Sequence, residues 1–175
     1  MAELAPELLG EGGAPVGVLC VQQAKQVHGL FGQAWWRIGC RAPQLTPRST
    51  DINIIGAWGQ AWALWYLQRA HNAALIQANW RTREFELDLI VQLPREVLFV
   101  EVKTRLLSEV WDVATLFPPE RRRRLAEGAR QYYAQLPPFR PEARICALVV
   151  AYQHQTPGLP RIDYIPRLIE AVDFR

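Results

Sequence analysis

The feature that most constrains the fold is a continuous apolar run over residues 145–152, in the last third of the 175-residue chain. A run of this length without polar alternation is typical of a strand buried on both faces. It follows a helical pattern expected over residues 120–136, which begins after Pro118 and Pro119. A buried strand preceded by a helix indicates an α/β fold, in which helices cover a central sheet.

A tryptophan stripe upstream predicts a second helix. Trp58, Trp62 and Trp65 recur at the spacing of one helix face, between about residues 50 and 70. Indole rings at this spacing can stack on nucleic-acid bases, but they more often pack inward. We therefore expect a helix whose tryptophan face is buried.

Further strands are expected from apolar patterns bounded by turns. They cover residues 75–81, 85–91, 97–103 and 161–165. The turn at residues 94–96 makes the second and third of these strands an antiparallel hairpin. The predicted order of elements is αβββαβ, with a central mixed sheet flanked by helices.

Acidic residues lie on both strands of the predicted hairpin. Because side chains alternate across a strand, Glu86 and Asp88 should share one face, while Leu87 and Leu89 share the other. The same rule places Glu101 and Lys103 together on the next strand. The hairpin turn would then bring three carboxylates and one ammonium group to one end of the sheet.

Closely placed carboxylates repel one another, and a divalent cation relieves that repulsion. Oxygen ligands suit Mg²⁺ or Mn²⁺, and one or two of the carboxylates of Glu86, Asp88 and Glu101 would suffice to hold such an ion. Such a metal activates water for attack on a phosphodiester. Lys103 would orient that water or stabilise charge on the phosphate. The expected catalytic residues are Asp88, Glu101 and Lys103.

Lys103 is distinctive because the chain uses arginine almost everywhere else. Of its 20 basic residues 18 are arginine, and the other lysine is Lys25. Lysine differs from arginine as a compact point charge, so its retention favours a chemical role. An Asp followed by Glu-x-Lys is nevertheless a weak pattern, and an ordinary exposed ion pair is an equal alternative on the residues alone.

Four segments together resemble a known family. GAWGQAWALWYLQ, NWRTREFELDLI, LFVEVKTR and RRRRLAEGARQYY are similar to blocks of the YraN-like family, which is placed in the PD-(D/E)XK nuclease superfamily near Holliday-junction resolvases. The resemblance covers about residues 53–175. It implies a restriction-endonuclease-like core and a metal-dependent phosphodiesterase. By this resemblance, Asp88 and Glu101 match the superfamily's metal ligands, Lys103 its catalytic lysine, and Glu86 is an auxiliary residue. Glu86 matches the Glu of the family's GEIDLI block.

The chain departs from this family at four positions. Gln60 stands where the family has Glu, Phe85 where it has Gly, Cys146 where it usually has Asp, and Arg121 where it usually has Lys. Gln60 can still contact a metal or water as an auxiliary residue, although one negative charge is lost. These departures leave the three catalytic positions intact but put the strength of metal binding in question.

Several arginines are candidates for contact with nucleic acid. Arg81, Arg83, Arg105 and Arg121 flank the expected site and could bind DNA phosphates, although solubility alone also explains exposed arginines. Arg121 opens a run of four arginines. Four consecutive helical residues cover every face, so they cannot all meet one ligand.

The remaining features bound the location and organisation of the protein. No apolar stretch approaches the length of a membrane span, the first residues are acidic, and the three cysteines lack zinc-site spacing. We expect a cytoplasmic protein without a membrane segment. Residues 1–49 should form a partly irregular arm with a short helix over 18–27, and residues 50–175 a nuclease-like domain. That domain should end in a helical segment over 168–174.

Three functions remain open from the sequence. The first is a Mg²⁺- or Mn²⁺-dependent endonuclease acting on DNA, branched or repair-associated. The second is a nucleic-acid-binding module with a degenerate catalytic site. The third is a non-enzymatic interaction domain, which the modest net charge of +3 and the arm would fit. A two-fold junction substrate would favour a homodimer.

Overall fold

A computed structural model describes most of the chain beyond the first 40 residues. The described residues are 25–28, 34–37, 42–47, 50–136, 141–153, 158–170, 172 and 174. In chain order the elements are β1 (Lys25–His28), β2 (Ala34–Arg37), α1 (Ile52–His71), β3 (Ala74–Arg81), β4 (Glu86–Gln92), β5 (Glu96–Leu106), α2 (Val113–Leu116), α3 (Pro119–Tyr133), β6 (Glu142–Tyr152) and β7 (Arg161–Ile165).

These strands form one mixed sheet. Its spatial order follows the chain order from β1 to β7, and every neighbouring pair is antiparallel except β5 and β6, which are parallel. The αβββαβ order predicted from the sequence is confirmed from α1 to β6, and it is consistent with a restriction-endonuclease-like core. The hairpin of β4 and β5 and the final strand β7 are also confirmed.

Some expectations were wrong. Residues 25–27 belong to β1 rather than to a short helix, and β2 pairs with β3 at Trp36 and Leu75. The expected terminal helix is absent from residues 168–170, which form bends. The short helix α2 was not anticipated. The remaining expectations for residues 1–24 lie outside the described residues.

Two helices cover opposite faces of the sheet and define two cores. The α1-side core contains Trp58, Trp62, Trp65, Leu89, Val91, Val100, Val102, Cys146 and Leu148. The α3-side core contains Trp80, Leu87, Ile90, Phe99, Leu125, Ala129, Tyr132 and Val149. The tryptophan stripe of α1 therefore packs inward, as predicted. Within the described residues, no helix combines the length and apolar character needed to cross a membrane.

Glycine allows α1 to lie unusually close to β5. A Cβ atom added at Gly59 would lie 1.9 Å from Oγ1 of Thr104 and 3.1 Å from its Cβ, whereas one added at Gly56 would meet nothing within 4 Å. Gly59 therefore sets the distance between the helix and the strand. This close approach also brings the next residue, Gln60, over the end of the sheet.

We expect Gly59→Ala to destabilise the protein and Gly56→Ala to stabilise it slightly. The added methyl group at residue 59 forces the helix and β5 apart, which should lower the free energy of unfolding by about 1–3 kcal/mol. At residue 56, the same change only restricts the unfolded backbone, so a gain of about 0.5–1 kcal/mol is expected. Urea unfolding of both variants measures the difference, and equal stabilities would contradict the tight contact.

Candidate active site

A cleft of about 340 Å³ opens at the end of the β4–β5 hairpin, between α1 and the first turn of α3. It brings together seven of the residues singled out from the sequence: Gln60, Glu86, Asp88, Glu101, Lys103, Arg105 and Arg121. Arg81 and Arg83 do not line the cleft, but both are exposed beside the β3–β4 turn. Thr104 and the backbone of Val102 complete the polar part of the cleft wall.

The carboxylate of Asp88 lies where the pairing of β4 with β5 ends. The last pair of this ladder is Leu89 with Val100. Beyond it, the backbone N–H of Val102 donates to Oδ2 of Asp88 at 2.7 Å. A side chain thus replaces a main-chain acceptor, which satisfies a buried N–H that the diverging strand no longer reaches. The same bond fixes the orientation of the carboxylate, which is only 8% exposed.

The regular alternation of β4 breaks at this residue, so the prediction that Leu87 and Leu89 share a face was wrong. Leu87 packs in the α3-side core and Leu89 in the α1-side core. On the neighbouring strand, Ala78 packs on the α1 side and Trp80 on the α3 side. At residue 79 in β3 and residue 88 in β4, which lie opposite each other, the residues before and after therefore face opposite sides of the sheet instead of the same side.

Asn79 occupies the corresponding position in β3. Its φ of 51° lies in the left-handed region, which is uncommon for a residue other than glycine but most accessible to Asn and Asp. Nε2 of Gln60 donates to Oδ1 of Asn79 at 3.1 Å and contacts Oδ1 of Asp88 at 3.2 Å. Asn79 was not among the sequence candidates. The available signal was an asparagine, a residue depleted in strands, at the centre of an apolar strand pattern.

Burial and nearby charge alter the acidity of Asp88. Burial, followed by the charge of Glu101, raises its pKa from 3.8 to about 6. The Val102 hydrogen bond and the cations Lys103 and Arg121 oppose this rise without cancelling it. The negative charge of Glu101 therefore acts on Asp88 across the cleft. Together with burial, it disfavours the ionised form of Asp88.

Glu101 is completely buried and held by two cations. Its Oε1 accepts from Nζ of Lys103 at 2.6 Å and from Nε of Arg121 at 3.0 Å. Its Oε2 accepts from Nη2 of Arg121 at 2.7 Å. A buried carboxylate needs such partners, because a buried charge without a paired cation is strongly destabilising. The paired guanidinium grips both oxygens, a geometry that lysine cannot provide.

Arg121 is itself affected by this pairing. Burial favours its neutral form, but the hydrogen bond and charge of Glu101, together with the charges of Asp88 and Glu86, outweigh burial and raise the pKa of the guanidinium. The other three arginines of the run point elsewhere. Arg122 donates to the carbonyl of Phe117, Arg123 pairs with Glu120 at the surface, and Arg124 donates to the carbonyl of Glu84.

The donor set fits one divalent cation better than a larger cluster. Glu86 lines the cleft, but its carboxylate pairs with Arg81 at 2.6 Å instead of joining the other two. In the described part of the chain, no group of three or more His, Cys, Asp or Glu side chains is placed to hold a metal. Asp88 and Glu101 remain, and two carboxylates suffice for Mg²⁺ when water and phosphate complete its shell.

Phe85 and Cys146, at which the chain departs from the related family, lie against the α3-side core and in the α1-side core, respectively, rather than in the cleft. Phe85 packs on Gly128 of α3, where a Cβ atom would lie 3.0 Å from the Cβ of the phenylalanine. The missing side chain of Gly128 leaves room for this ring beside the strand. Cys146 is buried in the α1-side core, where burial raises the pKa of its thiol to about 12. It does not line the cleft.

Comparison with known proteins identifies relatives over most of this domain. Residues 59–165 match the model described as "Uncharacterised protein family UPF0102". The chain is similar to a UPF0102 protein of Chlorobium phaeobacteroides, with 30% identity over 126 residues that cover 70% of this chain and 98% of that protein. A Synechococcus UPF0102 protein is 33% identical over 120 residues, covering 67% and 88%. A third, from Mycolicibacterium vanbaalenii, is 38% identical over 96 residues, covering 55% and 78%.

We expect Asp88→Asn to stabilise the fold at neutral pH. Between pH 3.8 and about 6, the folded chain retains a proton at Asp88 that the unfolded chain releases, so the free energy of unfolding falls as pH rises. The two pKa values differ by an amount equivalent to about 3 kcal/mol. Asparagine, which never ionises, should recover much of this difference above pH 6, and urea unfolding across the pH range measures it.

The matched control for this experiment is Asp51→Asn. Asp51 is exposed and caps α1 by accepting from the N–H of Asn53, and asparagine caps helices equally well. Its replacement should therefore leave the free energy of unfolding at neutral pH close to that of wild type. If Asp88→Asn shows the same profile as wild type, the ionised carboxylate of Asp88 does not cost the fold stability.

Proposed function

This chain is a member of the UPF0102 family, and from that premise and the geometry of its cleft we propose that it is a metal-dependent endonuclease that hydrolyses phosphodiester bonds in DNA. The observation that carries the proposal is the placement of Asp88, Glu101 and Lys103 around one end of the β4–β5 hairpin. The resemblance to PD-(D/E)XK nucleases supports it, because these residues occupy that superfamily's catalytic positions.

Asp88 and Glu101 are the residues that would hold Mg²⁺ or Mn²⁺. When bound, the metal would polarise the phosphodiester and lower the pKa of a water molecule. Asp88 is already oriented by the N–H of Val102 at Oδ2, so Oδ1, which accepts from Gln60, is the oxygen that would serve as a ligand. Glu101 lies on the adjacent strand and raises the pKa of Asp88 by its charge, which supports a site that favours a cation between them.

Lys103 is positioned to act on the phosphate rather than on the metal. Its Nζ is held 2.6 Å from Oε1 of Glu101, and its side chain remains 25% exposed at the cleft. An ammonium group fixed in this way stabilises negative charge that grows on a phosphate oxygen, and it can orient the attacking water. Beside Glu101 we assign it an electrostatic role rather than that of a general base.

The surrounding arginines support a nucleic-acid substrate. Arg105 and Arg121 line the cleft, and Arg83 lies exposed beside the β3–β4 turn together with Arg81, which pairs with Glu86. Contacts from such residues to the phosphate backbone position a nucleic acid without reading its sequence. The proposed substrate is therefore DNA, bound through its backbone near the end of the sheet.

One observation favours a second candidate function, a nucleic-acid-binding module with a degenerate catalytic site. The amide of Gln60 contacts Oδ1 of Asp88, the oxygen that the Val102 hydrogen bond leaves available. A glutamate at this position would add a negative charge to a metal site, whereas the amide competes for Asp88 without adding charge. Weakened metal binding with retained DNA binding would follow.

We expect wild-type protein to cut DNA in the presence of Mg²⁺ or Mn²⁺, and Asp88→Asn and Lys103→Ala to reduce the rate by about 100-fold or more. The first change removes a ligand charge, and the second removes the cation that stabilises the phosphate. Cleavage of linear duplex, single-stranded and four-way-junction DNA measures both effects and identifies the preferred substrate. Arg123→Gln, an exposed change outside the cleft, is the control and should retain wild-type rates.

Gln60→Glu separates the two candidate functions. If wild type binds DNA without cutting it and only Gln60→Glu cuts, the protein is a binding module whose site lacks one acidic ligand. If no variant cuts and wild type does not bind DNA, both nucleic-acid functions are excluded, and an interaction domain on the same fold is what remains.

A further inference from the structure

We propose that Arg121 is a positioning residue that exchanges partners: it holds Glu101 until a divalent cation binds, and then turns to the phosphate of the substrate. The inference rests on the proposed function and specifies how its site is loaded. Arg121 would in this way couple the binding of metal to the binding of DNA.

Glu101 has no oxygen left for a metal while Arg121 holds it. Both of its oxygens are engaged, and the side chain is completely buried. Lys103 contacts only Oε1, whereas Arg121 contacts both oxygens. Because Arg121 contacts both oxygens, a cation held by Glu101 would lie close to its guanidinium. Like charges repel strongly in a partly buried site, so Arg121 would have to release Glu101.

Arg121 has somewhere to move. It is the third residue of α3, its side chain is 28% exposed, and it lines the open cleft. Its neighbours Arg122 and Arg124 are instead tied to backbone carbonyls of Phe117 and Glu84. Of the four consecutive arginines, Arg121 is thus the one placed to turn within the cleft.

The charge balance of the cleft links metal binding to phosphate binding. Asp88 and Glu101 carry two negative charges when ionised, and Lys103 and Arg121 carry two positive charges, so the four groups are balanced. A divalent cation alone would leave the site with two excess positive charges. A phosphodiester supplies a negative charge, and its two oxygens match the fork of a guanidinium. Metal and phosphate should therefore bind better together than separately.

The experiment measures Mn²⁺ binding directly, by electron paramagnetic resonance of the free ion, with and without a short linear duplex. The duplex is added on ice, and its integrity is checked afterwards. Wild type should bind Mn²⁺ about tenfold more tightly when the duplex is present. Arg121→Gln should bind Mn²⁺ alone about tenfold more tightly than wild type, and it should lose most of the gain from the duplex.

Two further variants keep the result interpretable. Arg121→Lys retains the positive charge but cannot grip both oxygens of Glu101, so its affinity for Mn²⁺ alone should lie between those of wild type and Arg121→Gln. It also serves if Arg121→Gln does not fold, as judged by thermal unfolding. Arg123→Gln, on the exposed face of the same helix, should behave as wild type.

The outcomes distinguish this inference from the proposed function. If Asp88→Asn abolishes Mn²⁺ binding but neither Arg121 variant binds more tightly than wild type, the exchange is wrong and Arg121 is a fixed structural partner of Glu101. The metal site then stands without the exchange. If Asp88→Asn leaves Mn²⁺ binding unchanged, the metal site of the proposed function fails, and the exchange fails with it.

Discussion

The hydrogen bond from the N–H of Val102 to Asp88 is the interaction on which the candidate site depends. It forms because β4 stops pairing with β5 after Leu89, which leaves a buried main-chain donor in need of an acceptor. By supplying that acceptor, the carboxylate ends the ladder without an unsatisfied group, and it also becomes fixed at the mouth of the cleft. The fold and the site therefore share one interaction, so Asp88 is constrained by structure as well as by chemistry.

The sequence predicted where the helices and strands lie far better than it predicted which side of the sheet the strand residues face. Residues 145–152 were recognisable as a strand because burial on both faces removes polar alternation, and the buried tryptophans of α1 follow from helical spacing. The face exchange at Asp88 was not predictable from the same rule, since strict alternation assumes a regular pleat. It coincides with the left-handed backbone of Asn79 on the neighbouring strand β3, which the pattern of β4 does not report. Likewise, the grip of Arg121 on Glu101 joins residues 20 apart on different elements, and no local pattern reports it.

The residues at which this chain departs from the related family fit the fold because of the residues that surround them. Phe85 lies against Gly128, so a large ring beside the site is matched by the absence of a side chain on the facing helix. Gln60 reaches Asn79 and Asp88 because Gly59 lets α1 approach β5 at Thr104. Cys146 is enclosed by the α1-side core, on the face of β6 opposite to its neighbours in the α3-side core. These substitutions are therefore compatible with the fold. Of the four departures, Gln60 contacts Asp88 and Arg121 contacts Glu101, whereas Phe85 and Cys146 lie outside the cleft.

Whether the cleft performs catalysis depends on how the charges of Glu101 and Asp88 are compensated. A buried Glu101 is tolerated because Lys103 and Arg121 neutralise it. Among the described residues, Asp88 has no cation at hydrogen-bonding distance and is held by an amide and a backbone N–H. Burial and the charge of Glu101 raise its pKa, and these neutral donors do not offset that rise. A bound cation would therefore stabilise the ionised form of Asp88 more than that of Glu101, which already pairs with two cations. A metal that enters this cleft should be recruited first by Asp88, and the grip of Arg121 on Glu101 then decides whether the second carboxylate can join it.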